Sequence, residues 1–236
     1  MMDPVQTYEL DTDALRGLRR GFWPAGLGHS AYRAIKPRLA ELAEADFQEH
    51  VKHLTKDDVV LDLGANIGKF TKILADSGAR VHAFEPDPDT FARLQAEIGS
   101  RGNVTLYQAA IGAEAATVRL LRARNYEKDP VAKSLGSSVA RTSRFEMDHG
   151  NAVDVEQVDL FAFVAALPVR PRLIKMDIEG AEWPIFERIM DGARPCDALF
   201  AETHERFAPL RLMGGLNRFR RYAASVDDIY LNPYWG

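Results

Sequence analysis

The hydrophobic positions change their spacing once along this chain, near Asp58. Before that point they recur at helical intervals: Leu39, Leu42, Phe47, Val51 and Leu54 follow Pro37, which suits a first helical turn. After it, short apolar runs alternate with amphipathic stretches. Val59-Val60-Leu61-Asp62-Leu63 is apolar enough for a strand buried on both faces. Ile67, Phe70, Ile73 and Leu74 then form one helical stripe that stops at Ser77-Gly78. Arg80 to Phe84 predicts a second strand, and Asp87 predicts a cap for a helix whose inner face carries Phe91, Leu94 and Ile98. Further strands are expected at 103–107, 117–121, 172–176, 198–202 and 228–231. Helices are expected at 159–167, through Phe186 and Ile189 up to Gly192, and around Asn217 to Tyr222. The polar stretch from Arg122 to Met147 predicts a long loop.

Strands alternating with helices predict an α/β fold, a three-layer sandwich whose mostly parallel sheet carries helices on both faces. The pattern divides the chain into an N-terminal helical extension, 1–56, and a main domain, 57–236. Asp62, Glu85, Asp177 and Glu202 all fall at or just past predicted strand ends, the edge where such sheets bind ligands. Composition narrows the classes little: 46% of the 236 residues are hydrophobic and 27% charged, which argues against disorder. The formal charge of −4 gives no pull towards nucleic acid. The single cysteine, Cys196, cannot form an internal disulfide. Met1 to Leu10 has neither the basic start nor the apolar run of a signal peptide, and no stretch approaches the ~20 apolar residues of a membrane span. A cytoplasmic location with no transmembrane segment is expected.

Gly64-Ala65-Asn66-Ile67-Gly68 joins the first strand to the first helix of the main domain. A phosphate-binding P-loop needs one more residue between its glycines and a hydroxyl where Phe70 stands. A dinucleotide fingerprint needs glycine where Asn66 lies, so an NAD-dependent oxidoreductase is the weaker reading. A sulfonium nucleoside has no phosphate and carries positive charge, which Asp62 suits directly or through water. Glu85, about 20 residues on, is placed for ribose hydroxyls. The remaining alternatives are a turn that only packs helix on strand, and a non-catalytic protein that keeps a cofactor fold.

Val60-Leu61-Asp62-Leu63-Gly64-Ala65-Asn66-Ile67-Gly68, Ala83-Phe84-Glu85-Pro86-Asp87, Ala109-Ala110-Ile111-Gly112, Ile174 to Glu182 and Ala201-Glu202-Thr203-His204 together resemble the FkbM-type methyltransferases. The resemblance implies a class I methyltransferase (Rossmann-like) fold, S-adenosyl-L-methionine as cofactor, and O-methylation of a small molecule, saccharide or natural-product scaffold. It implies Gly64, Asn66 and Gly68 around the methionyl part, Glu85 with Pro86 at the ribose, and Ala110 by the adenine edge. It also implies a hydroxyl contact from Ser138, and Asp177 beside the transferred methyl.

A hydroxyl acceptor must lose its proton, and His204, Asp177 and Glu179 are the candidate bases. Glu182 is expected to cap the helix after it. Spacing fixes no ligand set among Asp177, Glu179, Glu202 and His204, so no metal is expected. The basic residues Arg211, Arg218, Arg220 and Arg221 are expected to form a solvated face, with no nucleic-acid partner.

Overall fold

A computed structural model describes residues 29–123, 147–204 and 210–235. The elements in chain order are α1 His29–Lys52, β1 Val59–Leu63, α2 Lys69–Asp76, β2 Arg80–Phe84, α3 Pro88–Ile98 and β3 Val104–Tyr107. Then come β4 Ala110–Gly112, β5 Ala116–Ala123, β6 Met147–Asp159, α4 Leu160–Ala166, β7 Leu173–Met176 and α5 Trp183–Met190. The last are β8 Ala198–Glu202, α6 Leu210–Ala223 and β9 Tyr230–Trp235. Six strands form one sheet in the order β3-β2-β1-β7-β8-β9, and every adjacent pair is parallel. The chain builds outward from β1 to β3, then returns to the other side of β1 with β7. The β1–β7 junction is therefore the topological switch point where a ligand crevice opens.

The pleat of β1 explains the layers. Val59, Leu61 and Leu63 point into a cluster with Ile185, Phe186 and Ile189 of α5, Leu160 of α4 and Phe219 of α6. Val60 points the other way, with Leu74 of α2, Leu94 and Ile98 of α3, Phe47 and Val51 of α1, and Leu54 just past its end. Both faces are thus covered by helices, as the apolar composition of β1 predicts. Capping follows the sequence closely. Asp87 accepts from the backbone N–H of Asp89 and Thr90, and Asp159 caps α4 in the same way. Gly78 and Gly192 take positive φ just past the ends of α2 and α5.

Three expectations are corrected. The first helix does not begin at Pro37; it runs through it from His29. Its hold on the domain comes from tertiary contacts: the buried Asp46 accepts hydrogen bonds from Tyr230 Oη and from Asn232 Nδ2, the latter at 2.8 Å. The last strand is later than expected, at Tyr230–Trp235, and this polar pairing with α1 is part of what seats it. Finally, the strands β4 and β6 were not legible in the sequence; with β5 they form a separate sheet in the order β4-β6-β5. β6 is 13 residues long and begins at Met147, inside the stretch expected to be loop. Among the described residues, no helix is long and apolar enough to cross a membrane.

Candidate functional site

Register brings the candidate residues together. Leu63 pairs with Phe84 on one side and with Met176 on the other, so β1, β2 and β7 end level. The segments leaving them, Gly64 to Gly68, Glu85-Pro86 and Asp177 to Glu182, meet at one edge, with Glu202-Thr203-His204 one strand further along.

The glycine loop is tied to both neighbours. Gly64 and Ala65 donate their N–H groups to Phe84 O at 3.0 and 2.9 Å. Gly64 has φ +79°, and a Cβ there would lie 1.8 Å from the carbonyl oxygen of Asp177. No other residue lets the loop approach β7 so closely. Asn66 also takes positive φ, and its N–H donates to Glu85 Oε2 at 2.9 Å. The other oxygen of Glu85 accepts from Asp87 N at 3.0 Å. Glu85 is nevertheless 7% exposed, and burial pushes its carboxyl up to about 7 against the pull of those two N–H groups.

Asp62 lies elsewhere than expected. It is fully buried behind the loop, accepts from Thr71 Oγ1 at 2.7 Å and lies 3.3 Å from Lys175 Nζ. Direct contact with a ligand's positive charge is ruled out by that placement. Lys175, to which the sequence reading assigned no role, is the cation at the centre of the site. Its ammonium donates to Gly64 O at 2.9 Å and approaches Asp177 Oδ2 at 3.9 Å. Burial acts to lower its pKa, but Asp62, Asp177 and Glu202 outweigh that and raise it. The available sign was a lysine inside the otherwise apolar strand Leu173-Ile174-Lys175-Met176, where only a paired charge is tolerated.

Beyond Lys175 lies a carboxylate-rich corner. His204 is buried, with a side chain 1% exposed, so it is not the surface histidine that its loop position allowed. Its Nδ1 lies 2.8 Å from Glu182 Oε1. Its Nε2 faces Glu179 Oε2 at 3.3 Å, Asp177 Oδ1 at 3.6 Å and Glu202 Oε2 at 3.6 Å. Burial opposes the imidazolium charge, yet Glu182, Glu179 and Glu202 raise the pKa well above the usual value. The Asp177 carboxyl is raised by burial, against the pull of Lys175 and His204. Glu182 stands at the start of α5 but makes no side-chain cap there. Its Oε1 instead accepts from Ile178 N and Gly180 N, both at 3.2 Å, which folds the loop back so that one oxygen joins it to His204. Glu179 pays for this tight turn with a left-handed backbone at φ 54°. Arg220 of the basic helix points inward and donates to Thr203 Oγ1 at 2.8 Å, holding the residue before His204, whereas Arg218 and Arg221 are exposed.

Gly64, Asn66, Glu85, Pro86, Ala110, Asp177 and Glu179 all line a single cavity of about 240 Å³. Gly68 and Asp62 are not in its lining, and Ser138 lies outside the described residues. The sequence reading missed the apolar wall made by Phe70, Ile111 and Leu120. Phe70 is fixed by edge contacts with Phe47 of α1 and Trp235 of β9, at ring separations of 5.8 and 4.8 Å. The two ends of the described chain thereby set one side of the cleft.

Against known proteins, the family described as Methyltransferase FkbM domain matches residues 62–207. The ribosomal RNA small subunit methyltransferase A of Rubrobacter xylanophilus is 45% identical over 56 residues, 24% of this chain and 21% of that protein. The hexuronic acid methyltransferase AglP of Haloferax volcanii is 26% identical over 154 residues, 65% of this chain and 59% of AglP. The 31-O-demethyl-FK506 methyltransferase FkbM of Streptomyces tacrolimicus is 28% identical over 228 residues, 87% of this chain and 84% of that protein. The chain thus spans less than two thirds of the first two of these relatives.

Proposed function

Since the chain belongs to the FkbM methyltransferase family, we propose that it is an S-adenosylmethionine-dependent enzyme that methylates an oxygen of a small molecule or saccharide. The observation that carries this reading is the closure between Asn66 N–H and Glu85 Oε2, which sets a carboxylate and the glycine loop on one cleft wall. The relatives named as a hexuronic acid methyltransferase and a 31-O-demethyl-FK506 methyltransferase support an oxygen acceptor. The net charge of −4 gives a nucleic acid no general attraction. We place the enzyme in the cytoplasm, in keeping with its lone, buried Cys196.

When bound, S-adenosylmethionine supplies a methyl group on a sulfonium leaving group. Glu85 would accept hydrogen bonds from the ribose hydroxyls, and the backbone of Gly64 to Asn66 would hold the methionyl end. Ala110, with Ile111 and Leu120, would give the adenine an apolar slot. Aligning acceptor oxygen, methyl and sulfur is the main contribution asked of the protein, worth up to about 7–11 kcal/mol in ideal cases. The hydroxyl proton of the acceptor passes to the Asp177–Glu179 pair, whose carboxylates reach the cleft. We assign the role to that pair rather than to His204, which is buried, is absent from the cavity lining and faces both carboxylates through Nε2.

Isothermal titration with S-adenosylmethionine tests the cofactor. Saturable binding that Glu85→Ala weakens markedly is expected; no binding up to about 1 mM would defeat the proposal. A thermal-shift comparison with NADH separates the dinucleotide alternative, and turnover on hydroxylated acceptors separates an enzyme from a non-catalytic scaffold.

A further inference from the structure

We propose that Asp177, Glu179 and His204 form a binding site for one divalent cation of the manganese or magnesium class, open towards the cleft. One donor atom from each residue lies within 4.8 Å of the other two. Asp177 and Glu179 also line the cavity, so an ion held there would present its remaining positions to a ligand in the cleft.

The spacing differs on the two sides of the imidazole. On one side, Nδ1 and Glu182 Oε1 are 2.8 Å apart, the length of a charge-assisted hydrogen bond. On the other side, the oxygens of Glu179, Asp177 and Glu202 stand off from Nε2 at 3.3, 3.6 and 3.6 Å. Donors sharing a cation with bonds of about 2.1 Å lie about 3.0 Å apart at octahedral edges and about 3.4 Å apart at tetrahedral ones. The Glu179 separation is near the tetrahedral edge and the Asp177 separation slightly longer, so a bound ion would draw these donors in by a few tenths of an ångström.

Two further features point the same way. Glu182 is not a ligand in this arrangement, yet its contact keeps the proton on Nδ1, so that an ion displacing the Nε2 proton meets a lone pair facing the centre, as carboxylates do behind metal-bound histidines. Asp177 Oδ1 is enclosed, lies on the Nε2 side, and makes no hydrogen bond among the described residues. Oxygen donors with one imidazole favour manganese or magnesium over softer metals. The site could not be read from spacing, because His204 lies 25 residues from Glu179 and reaches it only through the parallel pairing of β7 with β8.

The binding itself stands apart from the proposed activity; its use rests on it. A cation here would bind the acceptor oxygen, ease loss of its proton to a neighbouring carboxylate, and position it for the methyl.

The test is a titration of the chelator-treated full chain with MnCl2, followed by calorimetry and by the electron paramagnetic resonance of free Mn2+, with and without S-adenosylhomocysteine. One Mn2+ per chain is expected, with a dissociation constant below about 1 mM. Glu179→Gln should weaken it by roughly a hundredfold, and Glu182→Gln by about 10–100-fold, with the affinity for S-adenosylhomocysteine kept in Glu182→Gln as the check on folding. Failure of the native chain to bind Mn2+ in either condition overturns the site, as does equal binding by Glu179→Gln. Mn2+ binding without any S-adenosylhomocysteine binding upholds the site and defeats the cofactor reading instead.

Discussion

Glu85 occupies a position where function and stability oppose each other, and Glu85→Gln measures the conflict. In the folded chain its carboxyl is pushed up from 4.5 to about 7, chiefly by burial. A carboxyl raised on folding adds stability that is complete below its unfolded value and is lost as pH climbs through the folded one. Here the window runs from 4.5 to about 7. At roughly 1.4 kcal/mol per pH unit, ionising Glu85 costs the fold about 3 kcal/mol by pH 8. Glutamine keeps the shape but turns one N–H of its amide towards Asn66 N or Asp87 N, a loss of about 1–3 kcal/mol at any pH. That constant cost cancels when the variant is compared with the native chain at two pH values. Urea unfolding of both proteins at about pH 5 and about pH 8 should therefore show the native chain losing about 2.5 kcal/mol more than the variant over that interval. Glu85→Gln should also lose affinity for S-adenosylmethionine, because an amide is a poorer partner for two ribose hydroxyls. If the stability difference between the two proteins is the same at both pH values, the carboxylate is not strained, and its placement as a preformed, desolvated acceptor is wrong.

Two further outcomes follow from buried charge. Lys175→Met should cost about 3–5 kcal/mol in urea unfolding, because Asp62 would be left buried with Thr71 but no cation. Adding Asp62→Asn to it should recover a large part, and strictly additive effects would show that the two are not coupled. Asp46→Ala should lose about 3 kcal/mol by leaving the Tyr230 hydroxyl and the Asn232 amide without their acceptor, whereas a loss below about 0.5 kcal/mol would remove this network as the anchor of α1 on β9.

What was legible in the sequence is what depends on neighbours along the chain. Asp87 capping α3, Gly78 ending α2 and the apolar run of β1 are local matters, and each is found where the pattern put it. Part of the cavity lining was legible too, because residues just past the ends of parallel strands share one edge regardless of the details of packing. The misreadings all involve partners remote in sequence. Asp62 lies in the right segment, but in β1 it shares the pleat side of Val60, facing the helices that cover the sheet, so its partners are Thr71 and Lys175. Glu182 looked like a cap because acidic residues favour helix starts, yet His204, 22 residues later in the chain, offers its buried oxygen a stronger partner than the helix N-terminus does. β6 carries Asp154, Glu156 and Gln157 among its valines, and its polar side stays exposed or half-buried, so the run lacks the continuous apolar character that marks β1. In each case the local rule was sound and was overruled by a charge or a strand that only the topology could bring near. The site is built where such overrulings concentrate: Lys175, Asp177, Glu182 and His204 are all residues whose local propensity is set aside for a buried polar contact.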